Sequence, residues 1–190
     1  STSRRQRQMC IRDRNMTENL LVATHLETDR ESFKMRPERI EDLFRRAVAQ
    51  LDRRAAEHHI SVHLDDAALM AAMNARLIER VIINIMNNAI QYTPKGSNIE
   101  LHGMKKGNTV EIRVTDDGPG ISDDAKRHLF DLFYTAGQGK ADCQRGLGLG
   151  LNLCQSIVAM HGGTMDVLDH APKGTAFRFV LPLVSPETGR

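Results

Sequence analysis

The stretch from Arg76 to Tyr92 constrains this chain more than any other. It has the length of a helix and is apolar nearly all round: Leu77, Ile78, Val81, Ile82, Ile85, Met86, Ala89 and Ile90 leave little polar surface. Such a helix has to be buried on most sides. No apolar run in the chain approaches the ~18 residues that a spanning helix needs. The rest of the chain must therefore wrap it. With 190 residues there is material for one well-buried domain and an appendage.

Segments of period-two alternation supply the wrapping layer. Ile60–Leu64 reads as a strand with Val62 and Leu64 inward. Asn98–Lys105 and Thr109–Asp116 read as two strands joined by a hairpin at Lys106-Gly107-Asn108. Thr164–Leu168 and Thr175–Leu183 read as another pair around Pro172-Lys173-Gly174. Ile40, Leu43, Phe44, Ala47, Val48 and Leu51 have the spacing of an amphipathic helix, with Pro37 suited to its first turn. Further helices fit Asp123–Leu132 and Leu149–Met160; the second stops at His161-Gly162-Gly163, where a histidine suits the helix dipole. Antiparallel strands with helices between them predict an α+β fold: a two-layer sandwich, a mixed and mostly antiparallel sheet with helices on one face, rather than a βαβ wind. Tyr134–Arg145 is polar, glycine-bearing and long for a loop in a compact domain.

Composition narrows the partners. The formal net charge of +2 is too small to argue for nucleic acid or an anionic membrane. Three cysteines (Cys10, Cys143, Cys154) form no CxxC, which argues against a disulfide framework or a zinc site and favours a reducing cytoplasm. Ser1–Arg14 is basic, patternless and without an apolar leader core, and is expected to be a disordered or artefactual leader. Met16–Glu27 reads as the tail of a longer helix.

Three local features carry chemistry. Asn84, Asn88 and Gln91 share one face of the apolar helix, and burying an amide without a partner costs roughly 1–3 kcal/mol. They either cap a neighbouring loop or meet a polar ligand; amide oxygens suit a hard cation such as Mg²⁺. Asp116 continues the inward face of its strand, whereas Asp117 points out. Asp116 is either part of an ordinary turn after a strand or an acceptor for a purine amine, with Gly118 and Gly120 allowing close approach of a flat ligand. Gly146, Gly148 and Gly150 lead into a helix, which can make an anion site from free amides and the helix dipole. This is neither a P-loop nor GxGxxG, and alone it equally fits a flexible turn.

In this order the features resemble the ATP-binding domain of bacterial sensor histidine kinases, in the wider group that includes gyrase, Hsp90 and MutL, whose architecture is the Bergerat fold. The resemblance covers about Met35–Val184. It rests on NIMNNAIQYTP (Asn84–Pro94), DDGPG (Asp116–Gly120), LFDLFYT (Leu129–Thr135), GLGLGL (Gly146–Leu151) and GTAFRFVLP (Gly174–Pro182). The stretch LFDLFYTAGQGKADCQRGLGLGL is most similar to the potassium-responsive KdpD-type kinases. The resemblance implies Mg²⁺ on Asn88, with Asn84 beside it at the phosphates of ATP. Asp116 would take the adenine amine, with Thr175 nearby and Tyr92 near base and ribose. Gly118, Gly120 and Ile121 would line the adenine pocket. Gly146, Leu147, Gly148, Leu149, Gly150 and Leu151 would bring backbone to the phosphates. Tyr134–Arg145 would be a lid over ATP. Phe130 and Phe133 would hinge it, although plain core packing explains these aromatics nearly as well.

Two positions depart from the family pattern. Gln91 and Thr135 stand where lysine and arginine are common, and Lys95, Lys140 or Arg145 are candidates to replace the missing charge. The gyrase branch activates water with a glutamate four residues before the magnesium asparagine; here that position is Asn84, which cannot act as a base, and Glu79 lies five residues too early. The resemblance therefore implies a transferase, with a histidine on a dimerisation hairpin as acceptor. His25 lacks the acceptor's surroundings and reads as an exposed helix-end residue. The expected layout is a leader (1–14), the end of the hairpin helix and a linker (15–32), the ATP-binding domain (33–184) and a tail (185–190). Expected partners are ATP or ADP, the hairpin absent from this piece, and a response regulator. A homodimer is expected for the full-length protein and a cytoplasmic location for this portion, which alone could be monomeric. An anti-sigma-type serine kinase and a non-catalytic nucleotide-binding or docking module are the competing readings.

Overall fold

Alternation along β4 (Asn98–Lys106) and β5 (Thr109–Asp116) sends Ile99 and Leu101, and Val110, Ile112 and Val114, to one buried face. On β7 (Thr175–Pro182), Phe177, Phe179 and Leu181 lie in register with Val114, Ile112 and Val110 and continue that face. The computed structural model describes residues 34–51, 53–131 and 150–183. Its main sheet has the order β2-β4-β5-β7-β6, with β2 at His59–Leu64 and β6 at Thr164–Asp169. Only the β2–β4 pair is parallel, so the sheet is mixed and mostly antiparallel, with helices packed on one face, as expected. The parallel pair does contain one crossover, through the helix Ala75–Tyr92.

Helix α2 (Ala75–Tyr92) is the centre of the helical layer. It buries Ile78, Val81, Ile82, Ile85, Met86, Ala89 and Ile90. Each of these side chains except Ala89 contributes roughly 1.5–3 kcal/mol by leaving water. Asn74 caps it by accepting from the Leu77 amide at 3.3 Å. It ends at Thr93, which is extended because Pro94 follows. α1 (Ile40–Ala49) packs along α2 through Ile40, Leu43, Phe44 and Ala47. α4 (Gly150–Met160) packs on the other flank through Leu153, Cys154, Ile157 and Val158, and α3 (Asp123–His128) is short.

Several local expectations need correction. Pro37 is not in a helical first turn: it lies in a short strand β1 (Arg36–Arg39), and α1 starts three residues later. β1 pairs with β3 (Met70–Met73), a second small sheet that the sequence did not announce, because RPER and MAAM carry no alternating pattern. Val62 is 44% exposed; β2 is an edge strand, and only Ile60 and Leu64 reach the core. α3 stops at His128 rather than Leu132, in a turn where the Asp131 amide donates to the His128 carbonyl.

His161 does something other than meet a helix dipole. It is 2% exposed; its Nδ1–H donates to the Ile157 carbonyl at 2.7 Å, and its Nε2 accepts the Asn74 amide at 3.0 Å. A neutral imidazole thus ties the end of α4 to the start of α2, and burial holds its pKa below the ordinary 6.5. The unfolded chain binds this proton more readily than the fold. The stability contribution is therefore fully present above pH 6.5 and is lost as pH falls from there towards the lower folded pKa. Denaturation at stepped pH should show wild type losing up to about 1.4 kcal/mol per pH unit more than His161→Leu in that window. Parallel profiles would reject the assignment.

Candidate functional site

The site grows out of the C-terminal end of β5. Asp116 is paired with Ile99 on β4 and Thr175 on β7, so its side chain continues the face that the helices cover. It is only 7% exposed. One carboxylate oxygen accepts the Gly118 amide at 2.9 Å, and the Thr175 amide donates to the same carboxylate. Burial raises its pKa from the ordinary 3.8, and these two amides and His170 only partly offset that, with exposed Asp117 adding to the rise. Asp117 points the other way and accepts from both the backbone and the side chain of Asn98. Of two adjacent aspartates, one is thus spent on the strand edge and the other holds spare acceptor capacity indoors.

Glycines shape the wall beside it. A side chain on Gly118 would meet the Thr93 methyl at 2.7 Å and the Asp116 carboxylate at 2.8 Å. The turn therefore lies flat against the end of α2, where the Thr93 hydroxyl donates to the Ala89 carbonyl at 2.7 Å. Gly120 takes a positive φ of 79°, which re-aims the chain towards half-buried Ile121. Gly174, φ 132°, is closer still: a Cβ there would lie 1.8 Å from the Asp116 carbonyl oxygen. In the sequence, Gly174 stands out only as a turn residue. Its contact with Asp116 arises from strand pairing, and no local signal reveals it.

Two clefts flank the Gly118–Gly120 turn. One, of about 500 Å³, is lined by Gln91, Tyr92, Lys95, Gly118 and Lys173, among others. The other, of about 460 Å³, is lined by Gly120, Ile121, Asp169, His170 and Gly174, among others. Tyr92 is 49% exposed at the mouth of the first. Lys95 there is ion-paired with Glu57 at 2.9 Å.

On α2, Asn84 and Asn88 are half-buried and Gln91 is exposed. The Asn84 amide reaches the Cys154 sulfur on α4 at 3.6 Å. Burial pushes that thiol up to about 12, so Cys154 is a packing residue, not a nucleophile. Asn87, which the sequence reading passed over, has a buried side-chain oxygen with no partner among the described residues. Asn152 donates to the Phe130 carbonyl at 2.9 Å and anchors the start of α4, and Leu151 and Phe130 both pack on the core. Glu79 is committed elsewhere, bonded to Arg46 on α1 at 2.9 Å and to Gln50 just past that helix. Phe133, Gly146, Leu147, Gly148 and Leu149, as well as Thr135, Lys140, Arg145 and His25, lie outside the described residues.

Comparison with known proteins agrees with this geometry. The family model for histidine kinase-, DNA gyrase B-, and HSP90-like ATPases matches residues 73–185. The sensor protein KdpD of Clostridium acetobutylicum is 36% identical over 167 residues, covering 88% of this chain and 19% of that protein's length. The nucleotide-free catalytic domain of histidine kinase ThkA superposes with a TM-score of 0.69 at 25% identity, covering 78% of this chain and 97% of that one. Full-length ShkA in complex with AMPPNP shares the fold with a TM-score of 0.77 at 22% identity, covering 90% of this chain and 36% of that one. Among the described residues no helix is long and apolar enough to cross a membrane. The chain belongs to the family of histidine kinase-, DNA gyrase B-, and HSP90-like ATPases, and its fold and relatives make it a sensor histidine kinase catalytic domain.

Proposed function

We propose that this domain binds Mg-ATP against Asp116 and presents the γ-phosphoryl group to a histidine on a dimerisation hairpin, from which it passes to a response regulator. The observation that carries the reading is the buried Asp116 carboxylate, which keeps acceptor capacity after taking the Gly118 and Thr175 amides. An exocyclic purine amine is a donor that fits it. Thr175, Gly118, Gly120 and Ile121 then surround the base, and Tyr92 stands beside base and ribose. Gly146, Leu147, Gly148, Leu149, Gly150 and Leu151 would approach the phosphates, with Phe133 at the root of the lid.

The donor set on α2 fits Mg²⁺. Asn88 offers an amide oxygen, and Asn84, one turn earlier on the same face of the helix, offers a second. Bound there, the ion would neutralise charge on the β- and γ-phosphates. Asn84 cannot deprotonate water, and Glu79 is held by Arg46 and Gln50, which favours transfer to a side chain over hydrolysis. In that transfer the acceptor nitrogen bonds to phosphorus, the bond to the ADP oxygen breaks, and ADP leaves. A homodimer formed through the hairpin, with 15–32 as the end of its helix and 33–184 as the ATP-binding unit, and a cytoplasmic position where ATP is supplied, belong to the same proposal.

Calorimetry with ADP should show one site that requires Mg²⁺. Incubation with γ-labelled ATP and a separate hairpin bearing an acceptor histidine should label the hairpin alone. Label held stably on this chain's own histidines, or phosphate release that needs no acceptor, would sink the reading.

A further inference from the structure

The face of the sheet turned away from the helices, and so from Asp116, carries a second group of chemistry-bearing side chains. β2 and β4 run parallel, with Ser61 opposite Glu100 and His63 opposite His102. Since Ile99 and Leu101 point into the core, Glu100 and His102 point out. The His63 and His102 rings stack with centroids 4.8 Å apart and planes 20° from parallel. His102 Nε2 lies 2.8 Å from a Glu100 carboxylate oxygen, and His63 Nε2 lies 3.1 Å from the Ser61 hydroxyl. One ligand atom from each of His63, Glu100 and His102 falls within 4.8 Å of the other two. Arg113, opposite His102 on β5, is engaged with Glu111 at 2.6 Å, so its charge is partly neutralised.

An ion pair between a half-exposed histidine and a carboxylate is worth little by itself. What sets this group apart is convergence: two imidazoles from neighbouring strands and one carboxylate. Two nitrogens and an oxygen are the donor types that zinc-like ions take, at about 2.0–2.2 Å, whereas Mg²⁺ prefers oxygens alone. Such bond lengths put tetrahedral ligand atoms about 3.3–3.5 Å apart, so ligand atoms that now lie within 4.8 Å of one another would have to draw closer around an ion. The cysteine count argued against a zinc site, but this group uses no cysteine.

We propose that His63, His102 and Glu100 form a surface site for a zinc-type divalent ion, with solvent completing its coordination. The ion would cross-link edge strand β2 to β4, and it is independent of the nucleotide reaction on the other face.

The test is a titration of the full chain, cleared of metal and carrying Cys10→Ser and Cys143→Ser, with Zn²⁺ in a millimolar Mg²⁺ background. One equivalent should bind and raise the thermal midpoint. His63→Ala and His102→Ala should each lower affinity at least the roughly tenfold that loss of an outer partner costs, and abolish that rise. Glu100→Gln should weaken binding less. Metal-free midpoints report whether each variant folds, and His63→Gln replaces any that does not. Visible absorption of bound Co²⁺ reads the ligand set without any activity. No saturable binding in the parent chain, or undiminished binding in both histidine variants, would overturn the proposal.

Discussion

Gly174→Ala should cost more than about 4 kcal/mol of stability, enough to lower the thermal midpoint by about 10 °C or more, or to leave no soluble domain. The new methyl would sit 1.8 Å from the Asp116 carbonyl oxygen and 2.8 Å from its carbon. Both atoms belong to paired backbone, so no rotamer change relieves the contact. The φ of 132° adds a conformation that alanine avoids. A control separates the two causes. Gly107, φ 59° in the β4–β5 hairpin, has nothing within 4 Å of its Cβ position, so Gly107→Ala should cost only about 1 kcal/mol. Urea denaturation of the three proteins measures this. A Gly174→Ala protein within about 1 kcal/mol of wild type would show that the strands do not approach so closely.

Asp116→Asn should do the reverse: lose ligand and keep the fold. A hydrogen bond to a charged group contributes about 1.5–3 kcal/mol, so ADP affinity should fall roughly 10- to 200-fold. The fold should hold or gain. Burial disfavours the ionised carboxylate, so above its ordinary pKa of 3.8 the charge subtracts from the stability of the nucleotide-free domain, and the neutral amide does not. Calorimetry and thermal denaturation on the same preparation decide it. Unchanged ADP affinity would remove Asp116 from the site. A large fall in the midpoint would mean that the side chain serves the fold rather than the ligand.

Much of this was legible in the chain. The buried helix followed from side chains apolar on most of its surface, and the β4–β5 hairpin followed from alternation around a glycine. The inward aim of Asp116 followed from counting by twos from Val110. Other elements were not legible, for physical reasons. β1 and β3 exist because they find each other across more than 30 residues, not because RPER or MAAM favours extension. Val62 follows the inward period of its strand yet is exposed, because β2 is the edge of the sheet.

Residue order by itself determined the family, the hairpins, the helix that must be buried and the type of chemistry available to each glycine, asparagine and aspartate. Those depend on local period and residue type. The tertiary structure alone decided that Glu79 is spent on Arg46 and Gln50, that His161 is neutral between two helices, that Gly174 lies under the Asp116 carbonyl and that His63 meets His102. Each of these is a contact between residues far apart in the chain. Strand register and helix packing set such contacts, and no short window of sequence contains both partners.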